Sequence, residues 1–369
     1  MTKIAYVIES MYNSGGMERI ISQKANWFVC HNIDITIITC NQQNRPFFFH
    51  IDEKVKRIDL NINYNSSAKK IRIALKSILM NLFLKEDYNF IISTFGQEFY
   101  ILNSIKDGSK KIIEFHFAFD INEKWIGRGR FAYFKKMLSK LYTLRMVYYA
   151  KKFDKIVVLT NNDKSKWGMY THKVSQIYNP LTMKTTKIAK CDNKSVIAVG
   201  RMDYQKGFDY LIKAWEIVIQ KHPNWILNIY GGGDSTLYMN LIKDLNLSNS
   251  VYLMGVTNDL ESAYLNSSIF VLSSRYEGFP LVLEEAMLCG LPIVSYNCPS
   301  GPSELIKDGI NGFLISPIGD VTGLADNICK LIEDEKLRKQ MSIESKLLSN
   351  RYTENFIMNR WMELFRTLE

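Results

Sequence analysis

Three acidic side chains fall within the stretch RYEGFPLVLEEAMLCGLP, Arg275 to Pro292: Glu277, Glu284 and Glu285. Adjacent residues on a helix point about 100° apart, so Glu284 and Glu285 cannot serve one site equally. Glu277 lies in what reads as a loop after the apolar run IFVLSS, and the helix begins near Pro280 or Leu281, since proline suits a first helical turn. Glu277 and Glu285 therefore pair a loop carboxylate with a helix carboxylate at the same end of the helix. Glu284, in the first turn, reads as helix surface or packing, a dipole partner worth roughly 0.3–1 kcal/mol.

Cations follow another strand. In GRMDYQKGFD, after SVIAV, Arg201 and Lys206 precede Gly207 and a helix. Arginine offers a planar fork and lysine a point charge, a pair suited to a diphosphate, although a loop with two cations can equally be solvated surface. In ESMYNSGGMERI, Gly15 and Gly16 lead into a helix, where free backbone N–H groups can hold an anion or simply make a helix-entry turn. Gly231 to Gly233 repeat glycine at a strand's carboxyl end. The fingerprint GxGxxG is absent from the first loop, which counts against a nicotinamide or flavin cofactor. His116, in EFHFAFD, ends a strand; His31, His50, His172 and His222 sit in polar loops or helix ends, where structural roles are expected.

The elements that must position these residues alternate. The first half reads as strands KIAYVIE, IDITIITC, VKRIDL, NFIISTF, KIIEFHF and DKIVVLT separated by helical patterns, one from Met17 to about His31. A polar, basic stretch from Asn179 to Lys194 reads as a linker. Alternation then restarts with SVIAVGRM, WILNIYGGG, VYLMGV, IFVLSS and PIVSYN. Strands alternating with helices imply parallel sheets covered on both faces. The expected architecture is α/β: two doubly wound, Rossmann-like domains, residues 1–180 and 195–350, facing across a cleft. The helical end, 351–369, is expected to pack back on the first domain. Ligands of open parallel sheets bind at the carboxyl ends of strands, which is where the residues above fall.

A chain of 369 residues, 47% hydrophobic and 23% charged, is globular and long enough for two cores. It opens on a buried strand rather than a signal peptide, and no apolar run approaches the length of a membrane span. Six scattered cysteines without a CxxC pair give neither zinc spacing nor a disulfide framework, and point to reduced, cytoplasmic thiols. Charge is asymmetric. Residues 1–185 hold 29 basic and 15 acidic side chains, and the remainder 18 and 22, so the halves carry +14 and −4 of the net +10.

Taken in order along the chain, SGGMER, GRMDYQKG, EGFPLVLEE, CGLPIVS and GPSELI…NGFLI resemble the motifs of the retaining glycosyltransferases of family 4, which have the GT-B fold. The resemblance spans most of the chain. It implies that Gly16, with Gly15, offers backbone amide to a donor phosphate or incoming sugar, and that Arg201 and Lys206 hold the diphosphate leaving group. Glu277 would contact the transferred sugar, backbone amides around Gly278 and Phe279 would bind its hydroxyls, and Glu285 would accept from the ribose. His116 matches a histidine beside the donor sugar. Glu284 falls where the family more commonly carries an apolar residue and receives no role. The resemblance further implies a nucleotide sugar, UDP favoured by the CPSGPSELI variant, with no metal and no cofactor.

From Lys124 to Lys152 the chain carries nine basic and no acidic residues, interleaved with aromatics, and SSAKKIRIALKSILMNLFLK is basic and amphipathic. These are either ordinary helices with solvated lysines or a surface for an anionic membrane, at about 1 kcal/mol per basic residue near lipid. The second reading suits a peripheral protein at the inner face of the cell membrane acting on a polyprenyl-diphosphate-linked saccharide in polysaccharide or O-antigen synthesis. Nucleic-acid binding competes for the same charge, but no RNP, KH or helix-turn-helix signature supports it. A GT-B epimerase remains an alternative, and a phosphorylase would need a pyridoxal-phosphate lysine that cannot be placed.

Overall fold

The computed structural model describes residues 2–120 and 132–369, which form two compact units, Met1–Pro180 with Glu354–Glu369, and Leu181–Thr353. Each is built on one parallel sheet. In the first, strands β1 (Lys3–Ile8), β2 (Asp34–Thr39), β3 (Lys56–Asp59), β4 (Phe90–Ser93), β5 (Lys110–Phe115), β6 (Lys155–Val158) and β7 (Val174–Gln176) lie in the order β3-β2-β1-β4-β5-β6-β7. β1 pairs in parallel with β2 and β4, Ala5 standing opposite Thr36 on one side and Ile91 on the other.

Residues Ile4 to Ile8 are all buried, as expected of a central parallel strand covered on both faces. Their side chains alternate. Ile4, Tyr6 and Ile8 pack with helix α1 (Gly16–Cys30) and with the C-terminal helix (Glu354–Arg366), which contributes Ile357, Met358, Trp361 and Phe365. Ala5 and Val7 face helices α2 (Ala68–Glu86) and α3 (Ala132–Ala150). α1 buries Ile20, Ile21, Lys24, Ala25, Trp27 and Phe28, a spacing that keeps one helical face inward, and it stops where Asn32 turns left-handed at φ 59°. The C-terminal helix is held in this unit by Trp27 Nε1 donating to Asn355 Oδ1 at 3.0 Å and Arg360 donating to the Gln176 carbonyl at 2.8 Å.

The second sheet takes β8 (Ser195–Val199), β9 (Ile226–Tyr230), β10 (Val251–Gly255), β11 (Ile269–Leu272), β12 (Ile293–Tyr296) and β13 (Gly312–Ile315) in the order β10-β9-β8-β11-β12-β13. Its helices include α5 (Phe208–Lys221), α8 (Leu281–Leu288), α10 (Val321–Glu333) and α11 (Glu335–Ser349), with α4 (Asn161–Gly168) in the first unit and α6 (Thr236–Asp244), α7 (Leu260–Leu265) and α9 (Pro302–Leu305) completing the chain order. Tryptophan 215 on α5, fully buried, anchors a core shared with β8, β9, β11 and α10.

Two readings of the sequence need correction. The stretch taken as a linker is not loose: Ala189 N–H donates to the Cys289 carbonyl at 2.8 Å, and the buried Arg338 Nε donates to the Cys191 carbonyl at 2.9 Å. The chain leaves the first unit at Pro180, and residues 181–194 belong to the second. The edge strands β7 and β13 were not expected: VSQ and GFLI lack the longer β-branched runs that marked the other strands. Of the basic segment Lys124–Lys152, residues 124–131 lie outside the described residues, residues 132–150 form α3, and Lys151 and Lys152 turn away from its end.

Candidate active site

In the second sheet the strand order reverses between β8 and β11, and the loops leaving those two neighbours carry Lys206 and Glu277. A reversal of this kind opens a crevice at the strands' carboxyl ends. The β8 loop is shaped by Asp203, whose carboxylate accepts from Lys206 N–H at 3.2 Å and caps a single turn over Tyr204–Lys206. Gly207 follows at φ 62°, and a Cβ there would stand 2.2 Å from the Ser273 carbonyl oxygen; only glycine lets the chain turn into α5 this close to β11.

Those constraints carry Lys206 Nζ to 2.7 Å from Glu277 Oε1. Ser274 Oγ donates to the same carboxylate oxygen at 2.6 Å, and Gln205 Nε2 reaches Oε2 at 3.4 Å while donating to the Tyr276 carbonyl at 3.0 Å. The Glu277 backbone is fixed as well: its N–H donates to the Pro299 carbonyl at 3.0 Å, and Ser300 N–H donates to its carbonyl at 2.9 Å. Glu277 is 6% exposed and Lys206 13%, so the pair is desolvated enough for its charges to matter yet reachable.

Arg275 ties the two loops together. Its guanidinium forks onto Asp209 at 2.9 and 2.6 Å, donates to the Tyr204 carbonyl at 2.7 Å, and lies about equally over the Tyr204 and Tyr210 rings. Neither Arg275 nor Gln205 was singled out from sequence. The signal for Arg275 is a partner 66 positions away, visible only once β8 and β11 are neighbours. Arg201, in contrast, keeps 74% of its side chain exposed and pairs with Asp203 at 3.1 Å, in the Lys206 loop but not on the Glu277 carboxylate. Phe279 is buried with its ring centroid 6.0 Å from that of Tyr352, and the Gly278 carbonyl accepts from Ser300 Oγ at 3.5 Å.

Glu285 is buried on α8 with its own partners: Thr182 Oγ1 donates to Oε1 at 2.8 Å and Tyr264 OH to Oε2 at 3.1 Å. Thr182 comes from the stretch read as a linker. Glu284 is not helix surface. It is 1% exposed, and neither carboxyl oxygen has a hydrogen-bond partner among the described residues. Burial, and then the neighbouring Glu285 charge, push its carboxyl well above the usual range. A carboxyl raised in the folded state adds stability only below its unfolded value of about 4.3 and loses it as pH climbs toward the folded value, so at neutral pH Glu284 is a cost. Glu284→Leu is expected to raise the melting temperature at pH 7, corresponding to about 1–3 kcal/mol, with the gain shrinking as pH falls toward about 4.3 and gone below it. Equal melting curves for the two proteins at pH 7 would disprove this.

In the first unit, Gly15 precedes α1 and Gly16 begins it, but the helix end already has a carboxylate beside it. A Cβ on Gly15 would stand 2.3 Å from Glu18 Oε2, the far end of a flexible side chain that can turn aside. Burial raises the Glu18 carboxyl. His116 follows β5 with a ring 9% exposed, and its Nε2 lies 3.3 Å from Glu114 Oε1 without the alignment of a full hydrogen bond. Burial lowers its pKa to about 4, opposed by the Glu114 charge and assisted by Lys24. Among the described residues, no group of three or more His, Cys, Asp or Glu side chains could hold a metal ion.

Comparison with known proteins places this geometry. Residues 184–347 match the family model described as glycosyl transferases group 1. An uncharacterized glycosyltransferase of Haemophilus influenzae is 32% identical over 98% of this chain and 99% of its own. The amylovoran biosynthesis glycosyltransferase AmsD of Erwinia amylovora is 26% identical, covering 99% of both chains. The UDP-Gal:alpha-D-GlcNAc-diphosphoundecaprenol alpha-1,3-galactosyltransferase of Escherichia coli is 26% identical over 96% of this chain and 93% of its own. Among solved structures, Anabaena Alr3699/HepE in complex with UDP and glucose superposes with a TM-score of 0.77 at 19% identity, over 100% of this chain and 99% of that one. Parallel sheets of this order, a lysine–glutamate pair at their reversal, and relatives aligned from end to end lead to one assignment: the chain belongs to the glycosyl transferases group 1, as a transferase of GT-B fold whose relatives build polysaccharides.

Proposed function

We propose that the protein is a retaining glycosyltransferase of family 4. It moves a hexose or N-acetylhexosamine from a UDP sugar to a polyprenyl-diphosphate-linked saccharide at an anionic membrane surface, with no metal or cofactor. The observation that carries the reading is the Lys206–Glu277 pair, held by Gln205, Ser274 and the Arg275–Asp209 fork at the reversal of the second sheet. The cation faces a departing diphosphate, and the glutamate, its backbone pinned by Pro299 and Ser300, faces the hydroxyls of the transferred sugar with the Gly278–Phe279 backbone. Arg201, exposed on the same loop beside Asp203, reaches a second phosphate oxygen. Glu285 takes the ribose hydroxyls, and Gly15 and Gly16 meet the donor or incoming sugar.

In the reaction the bond from the anomeric carbon to the diphosphate oxygen breaks, and a new bond forms to the acceptor oxygen on the same face. The acceptor's proton passes to the leaving diphosphate, whose growing negative charge the cations stabilise. The relative that acts on a diphosphoundecaprenol-linked sugar with UDP-Gal, and the structural neighbour crystallised with UDP, support both the base and the lipid carrier. No helix of the described residues is long and apolar enough to cross a membrane, so contact with such a carrier falls to a surface.

Calorimetric titration of the protein with UDP, GDP, ADP and NAD tests the reading. Binding of UDP in preference to the other three is expected. Folded protein that takes up none of them, or prefers NAD, would dismiss it.

A further inference from the structure

The chain after β4 brings two helices of the first unit to one aromatic ring. Gln97–Tyr100 forms a single helical turn. Glu98, not exposed at all, fixes it: its Oε1 accepts from Ser93 Oγ at 2.8 Å and from Gly96 N–H at 2.7 Å. Phe99 stacks on Phe153 with ring centroids 5.6 Å apart. Tyr100 is thereby held where α2 and α3 both reach it. Arg72 of α2 lies over its ring, the guanidinium carbon 4.0 Å from the centroid, and Arg145 of α3 stands 5.0 Å from the same centroid. Arg72 is also aimed, since its Nε donates to Gln97 Oε1 at 2.9 Å and leaves the two terminal nitrogens for other acceptors.

The elements around these guanidiniums supply no counter-charge. The one acid of α2, Glu86, pairs with Lys56 at 2.6 Å, α3 contains no acid, and Glu98 is turned to Ser93 and Gly96. Among the described residues, neither Arg72 nor Arg145 has a carboxylate partner. An aromatic face attracts a cation without neutralising it, so two guanidiniums at one ring repel until an anion joins them. Their planar forks fit phosphate oxygens two at a time.

The neighbours of the two arginines say what the phosphate carries. Ile73, Leu144 and Tyr148 are all exposed beside them along α2 and α3. Free phosphate would use the forks and leave these side chains in water, whereas a phosphate bearing a hydrocarbon chain uses both. The phosphodiester of a glycerolipid has one negative charge; a diphosphate has two or more, as two forks require.

We infer that Arg72 and Arg145, spread over Tyr100, are a clamp for the diphosphate of a prenyl lipid, whose chain runs along Ile73, Leu144 and Tyr148. That this lipid carries the acceptor saccharide rests on the proposed function; the clamp does not.

Farnesyl diphosphate is the probe, titrated into the whole protein with UDP in excess so that the Lys206 loop is occupied. Replacing both arginines, Arg72→Gln with Arg145→Gln, should weaken its binding about 100-fold or more, the scale of two lost charge-assisted hydrogen bonds. Arg145→Gln alone, at an exposed position where folding is not at stake, should cost about 10-fold. Arg72→Lys with Arg145→Lys separates the clamp from a merely basic surface. Phosphatidylglycerol vesicles respond to total charge and should bind this variant as they bind wild type, while farnesyl diphosphate, deprived of the forks, should bind about 10-fold weaker. Farnesyl diphosphate held equally by wild type and the glutamine pair would overturn the inference. So would a lysine pair that loses vesicles and probe together, which would make a bilayer the occupant, or inorganic pyrophosphate bound as tightly as the probe, which would make it free phosphate. Protein that binds no UDP would fail the proposed function and leave the comparison of these variants intact.

Discussion

Lys206→Ala is expected to lower kcat/KM for glycosyl transfer by about 10²–10³, or roughly 2.7–4 kcal/mol of transition-state stabilisation, and to weaken UDP binding. Two effects act together. On the proposed function, the diphosphate loses the cation that meets its charge as the sugar bond breaks, and Glu277, 6% exposed, loses the ammonium 2.7 Å from Oε1. The second effect has a limit: Ser274 at 2.6 Å and Gln205 at 3.4 Å still donate to that carboxylate, so the loop remains held. Glu277→Gln separates the two. The amide keeps the shape and removes the charge, leaving Lys206 free for phosphate, so transfer should fall while UDP affinity is retained or improves. Steady-state rates beside calorimetric affinities check both variants. A folded Lys206→Ala enzyme that transfers within threefold of wild type would remove Lys206 from the chemistry, and a Glu277→Gln enzyme at the wild-type rate would do the same for Glu277.

Lys206 and Glu277 were each legible because each follows an apolar β-branched run, the mark of a parallel strand with functional residues at its carboxyl end. That they touch was not legible, since contact across 71 positions depends on β8 lying beside β11, and adjacency is a property of the crossovers rather than of either strand. Gln205 and Arg275 stayed hidden for the same reason: a glutamine and an arginine in a polar loop look solvated until the neighbouring loop is placed. For Glu284 the two readings, helix surface or packing, could not be separated from sequence, and packing is the one the structure bears out. Every residue of α8 from Leu283 to Leu288 is buried, so the helix has no polar face, and the periodicity that sorts surface from core had nothing to report.

A double variant Leu141→Glu, Leu144→Glu is expected to bind vesicles containing anionic lipid about 30-fold or more weaker than wild type. α3 faces inward with Met146, Val147 and Ala150. On its other side Phe134, Met137, Leu141, Leu144 and Tyr148 are each about half exposed, spaced three and four apart, so they form one apolar stripe along the helix. Exposed Lys136, Lys140 and Arg145 stand around it, and α3 contains no acidic residue. α2 repeats the arrangement with exposed Ile73, Met80 and Leu84 beside Lys69, Lys70 and Lys76. A second copy of the chain would bring cation against cation, whereas an anionic bilayer accepts both the charges and the side chains between them. Each leucine contributes up to about 1.5–3 kcal/mol when buried, and each basic residue about 1 kcal/mol near the headgroups. Salt separates these two contributions, because it screens the charges and leaves the apolar contribution intact. Raising ionic strength should therefore weaken wild-type binding in steps and leave a residue of binding that the double variant lacks. Wild-type protein that ignores anionic vesicles at low salt, or a double variant that binds them as tightly, would show that this stripe faces something other than lipid.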